Sequence, residues 1–435
     1  MTTTILIILA VMGAAYALAK AKGLSVELSM LASALAGGLA GTAVKTPPFV
    51  ELGRHLVEGT FTYLDVILVF FTATLFMSIV HESGGIHYVV RGTIRAFARK
   101  RVAALLVLMI IVLIPGALTG AGSVSLLVVG APVAMALGRL GISQKRAAAI
   151  LFILAGLSAA APPVNIWAMI LCAGTAIPYV GFELVLGIPC LVLGTFTVLF
   201  LGWKKEPLEA GASAELPEVP AGMTWWRVLI PFVIFFGLVA SSRIWPFATP
   251  ILGLALEFTI AGVAAFLLSP KRIPIMSLSR DTVKRLLPLL STIVVVGVLQ
   301  QVMTATGVRG LLSFAVISTP LVLLFVILPV IIPFSEGILT FGGAAIVGIP
   351  LIWFLDSIGY HATVVIAALS FLWALGDGLP PTALIGRLSN MVAGYRGSYW
   401  DFLKSTWVPW LLITAVAMLM ILFSSKLVFL VRWSM

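Results

Sequence analysis

Charged residues are scarce in this sequence. Only 10% of its 435 residues are Asp, Glu, Lys or Arg, whereas 61% are hydrophobic; soluble domains carry roughly 25% charged residues. Long apolar runs recur along the chain, for example at 103–118, 147–161 and 410–423. Such runs approach the ~20 helical residues that cross a hydrocarbon core of ~30 Å. They do not alternate polar and apolar residues, which argues against a membrane β-barrel. The composition predicts an all-α polytopic membrane protein.

Residues that build metal or catalytic sites are also few. The two cysteines, Cys172 and Cys190, lie inside apolar segments, and the four histidines are scattered along the chain. We therefore expect neither a disulfide nor a metal cluster. The sequence contains no phosphate-binding P-loop and no nucleophile–base pairing. We expect a protein that is not an enzyme and has no cofactor.

The net charge of +11 has two interpretations. A basic protein can bind nucleic acid, but basic loops on the cytoplasmic side of a membrane protein give the same excess. The second interpretation is simpler here, and we expect the lipid bilayer, not nucleic acid, to be a partner. Residues 5–19 form an apolar N-terminal segment that ends in Ala17-Leu18-Ala19, like a signal-peptidase site. No basic region precedes the segment, so we expect a retained first helix.

One polar stretch divides the chain into two halves of similar length. Residues 204–222 contain four glutamates and three prolines, and they predict a soluble cytoplasmic linker. Residues that alter the backbone recur on either side of this linker at a constant offset of 218 positions. The pairs are Pro115 and Pro333, Gly130 and Gly348, Pro132 and Pro350, Gly141 and Gly359, and Pro162-Pro163 and Pro380-Pro381. The shared register predicts an internal repeat.

Basic residues predict how the repeats cross the membrane. Clusters at 91–101 and 139–146 flank the stretch 102–138, which is broken near its middle. Two basic ends on one side of the membrane predict a re-entrant hairpin. In the first repeat, residues 1–203, scaffold helices are expected over 1–101, a hairpin over 102–138 and a broken helix over 146–178. In the second, residues 223–435, the corresponding ranges are 223–304, 311–354 and 361–394.

The same charge distribution places the protein in the cell inner membrane, with a periplasmic N-terminus. It also gives each segment a counterpart of opposite orientation. Inverted-topology repeats of this kind occur in many secondary transporters, where exchange of conformation between the halves exposes a central site to either side. The pattern favours a carrier.

Four interruptions of the apolar segments are candidate binding sites, because unpaired backbone groups are costly in hydrocarbon. The first half supplies Thr119, Gly120, Gly122 and Ser123 at the hairpin tip, and Pro162, Pro163 and Asn165 in the broken helix. Glycines permit close approach of a ligand, and the amides at the start of a helix favour an anion. Carbonyls freed by the prolines suit Na⁺, and Asn165 can donate to an anion. A glycine-lined helix crossing and a simple proline kink are the structural alternatives.

The second half supplies the other two interruptions. They comprise Ser335, Glu336, Gly337 and Thr340 in the hairpin, and Asp377, Pro380, Pro381 and Thr382 in the broken helix. Carboxylates inside a membrane are costly and mark ion or proton pathways. We therefore expect a coupling ion, Na⁺, near Ser123, Pro162, Glu336 and Asp377. A salt bridge from each acid to a basic residue on another helix is the structural alternative.

Two stretches resemble a known family. LTGAGSVSLLVVGAPVAMALGRLGISQKRAAAILFILAGLSAAAPPVN, from Leu118 to Asn165, and GIPLIWFLDSIGYHATVVIAALSFLWALGDGLPPTA, from Gly348 to Ala383, resemble the two cores of the large membrane subunit of tripartite ATP-independent periplasmic (TRAP) transporters. The resemblance covers roughly a third of the chain. The serine run typical of the family's hairpin tip is interrupted here by Ala121 and Gly122. An aspartate at position 377 is also not expected from the family's pattern.

The resemblance implies an elevator-type transporter in which two hairpins and two broken helices slide against a fixed scaffold. It further implies an organic anion such as a dicarboxylate as substrate, a small four-helix membrane subunit, and a periplasmic binding protein. We therefore predict a secondary active transporter of a small organic anion, coupled to Na⁺ or H⁺. A non-transporting or channel-like scaffold subunit is the alternative, and a membrane-embedded enzyme is a weaker one.

Overall fold

The computed structural model describes residues 2–44, 46–97, 100–204, 219–245, 250 and 252–432, and all regular elements within these ranges are helices. The first eleven are α1 (Thr2–Ala21), α2 (Val26–Ala43), α3 (Phe49–Phe61), α4 (Leu64–Glu82), α5 (Gly85–Phe97), α6 (Arg101–Thr119), α7 (Gly122–Ser125), α8 (Ala131–Arg139), α9 (Gln144–Ala160), α10 (Ile166–Thr175) and α11 (Glu183–Gly202). The others are α12 (Trp225–Ile244), α13 (Leu254–Leu267), α14 (Ile275–Ala305), α15 (Val308–Ser318), α16 (Leu321–Leu339), α17 (Ile349–Ser357), α18 (Ala362–Gly376), α19 (Leu384–Ala393), α20 (Tyr399–Ser405), α21 (Trp407–Leu422) and α22 (Val428–Arg432). The π-helical segments Leu126–Gly130 and Ala344–Gly348 precede α8 and α17.

Many helices are long and apolar enough to cross a membrane. Eight candidate spans occur in the described residues, or nine if α20 and α21, which meet at an angle of 55°, form one broken span. Large apolar side chains cover much of the outer surface; Val322 and Val326 on α16 are 79% and 66% exposed. Water would disfavour such a surface, whereas lipid accepts it. The protein is therefore a multi-pass membrane protein, as its composition predicts.

Helix bounds recur along the chain at the offset found in the sequence. The π-helical segments lie at 126–130 and 344–348, α8 and α17 at 131–139 and 349–357, and α10 and α19 at 166–175 and 384–393. Each pair differs by 218 positions. Opposite threading of the two halves stays a prediction, because helix bounds contain no information on the direction of crossing.

The second hairpin begins later than the predicted range 311–354. Residues 308–318 form the separate helix α15, and the hairpin runs from the start of α16 at Leu321 to the end of α17 at Ser357. Thr319 and Pro320 separate α15 from α16, since the residue before a proline disfavours helical geometry. The sequence is uniformly hydrophobic on both sides of this boundary, so hydrophobicity alone does not locate it. The first hairpin, α6 to α8, spans 101–139, one residue beyond the predicted 102–138 at each end.

Some predictions fall outside the described residues. These include residues 205–218 of the predicted linker 204–222 and Arg99 of the first basic cluster. Residues 91–97 of this cluster belong to α5, which ends at Phe97 and is amphipathic. Its residues Ile86 and Val90 are buried and Arg95 is exposed, as an amphipathic helix requires.

The helices pack as two sets. The scaffold set, α1–α5 and α12–α15, is held together by α4 and α14, since α2 packs on α14, α13 packs on α4, and α4 and α14 contact each other. The core set, α6–α11 and α16–α22, packs around α9 and α18. The two sets meet mainly where α4 and α5 contact α6, α5 contacts α8, and α15 contacts α17.

The core set is centred on a close crossing of α9 and α18. All residues at 147–160 and at 363–376 are buried. Gly156 lies at the crossing, where a Cβ atom would be 2.9 Å from the carbonyl oxygen of Ala374. Small residues at such crossings let helix backbones approach closely.

Enlarging Gly156 should therefore separate the two central helices. We expect Gly156→Leu to destabilise the protein by about 1–3 kcal/mol, because overpacking forces the helices apart. The apparent melting temperature of purified protein in detergent measures this effect. Gly13→Leu is the control, since no atom lies within 4 Å of a Cβ at Gly13. Equal melting temperatures for the two variants would contradict the close crossing.

Candidate ion and solute site

The first interruption lies at the tip of the first hairpin. Helix α6 ends at Thr119, Gly120 adopts a left-handed conformation with φ of +70°, and α7 begins at Gly122. The hydroxyl of Thr119 donates to the carbonyl of Pro115 at 2.8 Å, so it is bonded to the preceding turn. A Cβ at Gly122 would meet the backbone of Ala155. Glycine is therefore required at 122 by helix packing, which is the structural alternative expected for this tip.

The second interruption, between α9 and α10, is bonded within the chain. The side-chain amide of Asn165 donates to the carbonyl of Ala160 at 3.0 Å, and its oxygen accepts the backbone N–H of Ala168 at 3.0 Å. The N–H of Val164 donates to the carbonyl of Ala117 at 3.0 Å, which joins the break to its own hairpin. Asn165 is fully buried and serves as the N-cap of α10. Asn165 thus stabilises the break. The sequence predicts a donor to an anion here, but both polar groups of the side chain are bonded to the backbone.

The third interruption lies one turn later than predicted. Ser335, Glu336 and Gly337 are all helical, and α16 ends only at Leu339. The break comprises residues 340–343, where Thr340 has a φ of +52° and is followed by Phe341 and two glycines. Gly337 does not end the helix; a Cβ there would lie 3.0 Å from the Cβ of Leu379, so glycine is needed for packing.

Ser335 is likewise used inside the protein. Its hydroxyl donates to the carbonyl of Ile332 at 2.7 Å and accepts the indole N–H of Trp373 at 3.1 Å. It joins α16 to α18 and does not reach a ligand site.

The fourth interruption, residues 377–383, separates α18 from α19. Both the backbone N–H and the hydroxyl of Thr382 donate to the carbonyl of Gly337, at 3.2 Å and 2.9 Å. The second double proline is thereby tied to its own hairpin, as the first is through Val164. In both breaks the peptide bond between the prolines is cis.

The interruptions converge on one small cavity. Its lining combines residues from both halves: Gly120, Ala121, Gly122, Ser123, Ala159, Trp167, Leu289, Glu336, Thr340, Phe341, Asp377, Leu384 and Ile385. About 20 Å³ is open to the centre of a water-sized sphere, which is room for one water molecule or one small ion. An organic solute does not fit in this conformation.

Packing across the halves creates the cavity. Helix α10 contacts the second hairpin through the π-helical segment 344–348 and α17, and α19 contacts the first hairpin through α7, the segment 126–130 and α8. The second part of each broken helix therefore packs on the hairpin of the other half. Neither half contains the complete site.

The structure divides the predicted site residues into two groups. Those that line the cavity are Gly120, Gly122, Ser123, Glu336, Thr340 and Asp377. Those that do not are Thr119, Pro162, Pro163, Asn165, Ser335, Gly337, Pro380, Pro381 and Thr382; Pro162 and Pro163 line two other cavities. Trp167 was not predicted, because a tryptophan within an apolar run resembles any other packing residue. The available signal was its position two residues after Asn165, where the interruption between α9 and α10 ends.

Two carboxylates dominate the chemistry of the cavity. The side chains of Glu336 and Asp377 are 1% and 7% exposed. Oε2 of Glu336 and Nε1 of Trp167 are buried without a hydrogen-bond partner. Neither acid forms an ion pair with any residue in the described part of the chain, so the salt bridges that were the structural alternative are not found there. Buried polar atoms without partners are rare, and a bound water or ion is one explanation for them.

Comparisons with known proteins agree with a transporter fold. No family model matches the chain, and no curated protein matches its sequence. Among solved structures, the chain is similar to the Alcanivorax borkumensis YdaH transporter, described as having an unusual topology, with a TM-score of 0.58 and 16% identity over 84% of this chain and 87% of that one. At this identity the likeness shows a shared fold alone. The chain has the fold of a membrane transporter, whereas membership in the TRAP family stays a prediction.

The structural role of Asn165 is directly testable. Asn165→Ala removes one donor and one acceptor from buried backbone groups, so we expect a loss of about 1–3 kcal/mol in stability. Asn165→Asp keeps the acceptor for Ala168 and should lose less. Thermal unfolding in detergent gives the comparison. An alanine variant that unfolds at the wild-type temperature would contradict this role.

Proposed function

We propose that the protein is a secondary active transporter that moves a small organic anion across the inner membrane, coupled to Na⁺ or H⁺. The observation that supports this proposal is the cavity between the two halves, which contains Glu336 and Asp377 without a basic partner in the described residues. The organic anion follows from the resemblance of the core stretches to TRAP subunits.

Electrostatics explains why a cation would have to accompany such a solute. An anion placed 4 Å from a carboxylate is repelled by ~4 kcal/mol at an effective dielectric constant of ~20. Two carboxylates in one cavity therefore oppose anion binding until a cation or proton neutralises them. Binding of the cation then raises the affinity for the anion, and the anion raises the affinity for the cation by the same factor. This reciprocity is the basis of coupled transport.

The cavity lining favours Na⁺ as the cation. It combines the carboxylates of Glu336 and Asp377 with the hydroxyl-bearing residues Ser123 and Thr340, and hard cations prefer oxygen ligands. The volume matches one small ion. Protonation of the same carboxylates is the alternative and predicts a different ion dependence of uptake.

The two packing sets support an elevator movement of inverted repeats. Contacts within the sets occur in exchanged pairs: α2 with α14 and α13 with α4, and likewise α10 with the second hairpin and α19 with the first. A pseudo-two-fold axis relates such pairs, and in the proposed inverted repeat this axis lies in the membrane plane. In this proposal the core set slides along the scaffold set and carries the cavity from one side to the other. A four-helix subunit and a periplasmic binding protein remain proposed partners.

Neutralising either carboxylate should uncouple transport from the ion gradient. We expect Glu336→Gln and Asp377→Asn each to lower gradient-driven uptake at least about tenfold, since the loss of one charged partner weakens cation binding by about 1.5–3 kcal/mol. The assay measures uptake of radiolabelled succinate, malate and sialic acid by purified protein in liposomes. Asp401→Asn is the matched control, because Asp401 is exposed and pairs with Lys404.

The same assay separates the alternatives. Accumulation that collapses when a Na⁺ gradient is dissipated supports Na⁺ coupling, and accumulation that needs only a pH gradient supports H⁺ coupling. Downhill flux in wild type and both variants, indifferent to either gradient, would contradict a coupled carrier and support a channel-like subunit.

A further inference from the structure

Arg309 connects the scaffold set to the core set. It lies at the second position of α15, and its guanidinium donates through Nη2 to the carbonyl of Gly174, in α10, at 2.9 Å. The guanidinium carbon also lies 4.3 Å from the centre of the Trp353 ring, in α17. A cation stacked on an indole and bonded to a carbonyl makes two favourable contacts with the core set.

The accepting carbonyl is free because of how α10 ends. Ala176 adopts a left-handed conformation, and the N–H groups of Ala176 and Ile177 both donate to the carbonyl of Cys172. The carbonyl of Gly174 lies in the last turn, where helical partners are lacking and the helix dipole is negative. Arg309 supplies both the donor and the positive charge.

An equivalent pair of residues lies 218 positions away. Arg91 in α5 corresponds to Arg309, and Val392 near the end of α19 corresponds to Gly174. The end of α19 has the same geometry as that of α10: Gly394 is left-handed, and the N–H groups of Gly394 and Tyr395 donate to the carbonyl of Asn390. The second half therefore presents the same kind of carbonyl acceptor.

The equivalent contact is not made in this conformation. Nε is buried without a hydrogen-bond partner in both Arg91 and Arg309. Nη2 of Arg309 nevertheless donates to the carbonyl of Gly174, whereas no hydrogen bond from Arg91 to Val392 occurs in the described part of the chain. Helix α5 packs on α6 and α8, whereas α15 packs on α17. The contacts of α5 with α8 and of α15 with α17 correspond in the repeat, and the packing of α5 on α6 is the difference between the two helices.

We propose that Arg309 and Arg91 are alternating ties between scaffold and core. The tie from Arg309 to Gly174 holds the state described here, and a tie from Arg91 to Val392 holds the opposite state. This inference rests on the proposed elevator function, in which the halves exchange conformations. The ties differ in strength, because Trp353 corresponds to Met135, which offers no aromatic face to a cation. The Arg309 tie should therefore be the stronger one.

Distance measurements between the two sets test the proposal. Spin labels at Met276 on α14 and Met391 on α19, which are 82% and 68% exposed, report scaffold-to-core distances once Cys172 and Cys190 are replaced by alanine. We expect a major and a minor distance. Arg309→Ala should shift their ratio about tenfold toward the minor state, the effect of removing one charged hydrogen bond. Arg91→Ala should shift it in the opposite direction.

Control variants separate the tie from general destabilisation. Arg309→Lys keeps the charge but loses the planar guanidinium, so we expect a smaller shift in the same direction. Trp353→Leu removes the ring on which the guanidinium of Arg309 is stacked, and we expect a shift in the same direction. It replaces Arg309→Ala if that variant does not fold. Arg54→Ala removes an exposed scaffold arginine paired with Glu58 and should change nothing. Two distances whose ratio is the same in all variants would overturn the ties and leave the elevator intact. A single distance in every variant would overturn both.

Discussion

The contact of α9 with α18 is the constraint on which the site depends. At Gly156 the two helices approach so closely that a side chain has no room, and both are buried along nearly their whole length. Each helix then stops at a double proline. Because the helices cross before they stop, their interruptions and the hairpin tips packed on them reach the same cavity. A larger residue at the crossing would separate the walls of the site.

An interrupted helix leaves backbone N–H and C=O groups without partners, which is costly in a membrane. In this protein, residues beside the breaks supply hydrogen bonds to the backbone. The side chain of Asn165 bonds the groups on both sides of the first break, and Thr382 bonds the second break to its hairpin. Hydrogen bonds at the two breaks join each broken helix to the hairpin of its own half. Among the residues that line the cavity, the buried polar atoms left without hydrogen-bond partners belong to Glu336 and Trp167. The carboxylates of Glu336 and Asp377 therefore line the cavity, whereas the prolines interrupt the helices without lining it.

Much of this arrangement could be predicted from the sequence, and the failures have physical reasons. Prolines and glycines fix backbone geometry directly, so their register predicted which segments are interrupted. Side-chain roles are different, because a polar residue beside a break can bond either to a ligand or to the backbone. Asn165 and Ser335 do the latter. Glu336 was recognised because an acid in an apolar run is costly, which leaves an ion or proton site and a salt bridge as its interpretations. The boundary between α15 and α16 and the role of Trp167 were hidden, since hydrophobicity alone records neither helix ends nor the direction of a side chain.

The central claim is that the halves share one site, with α19 packed on the hairpin of the first half. It is tested most directly by cross-linking cysteines at Gly130 and Val392, where the Cβ atoms would lie 3.6 Å apart, in a variant without Cys172 and Cys190. A protease site inserted in the predicted linker 204–222 separates the halves. The account predicts that a short thiol cross-linker keeps the halves in one band after cleavage, whereas a pair at Gly13 and Val392 releases two fragments. Two fragments from both pairs would contradict a shared site.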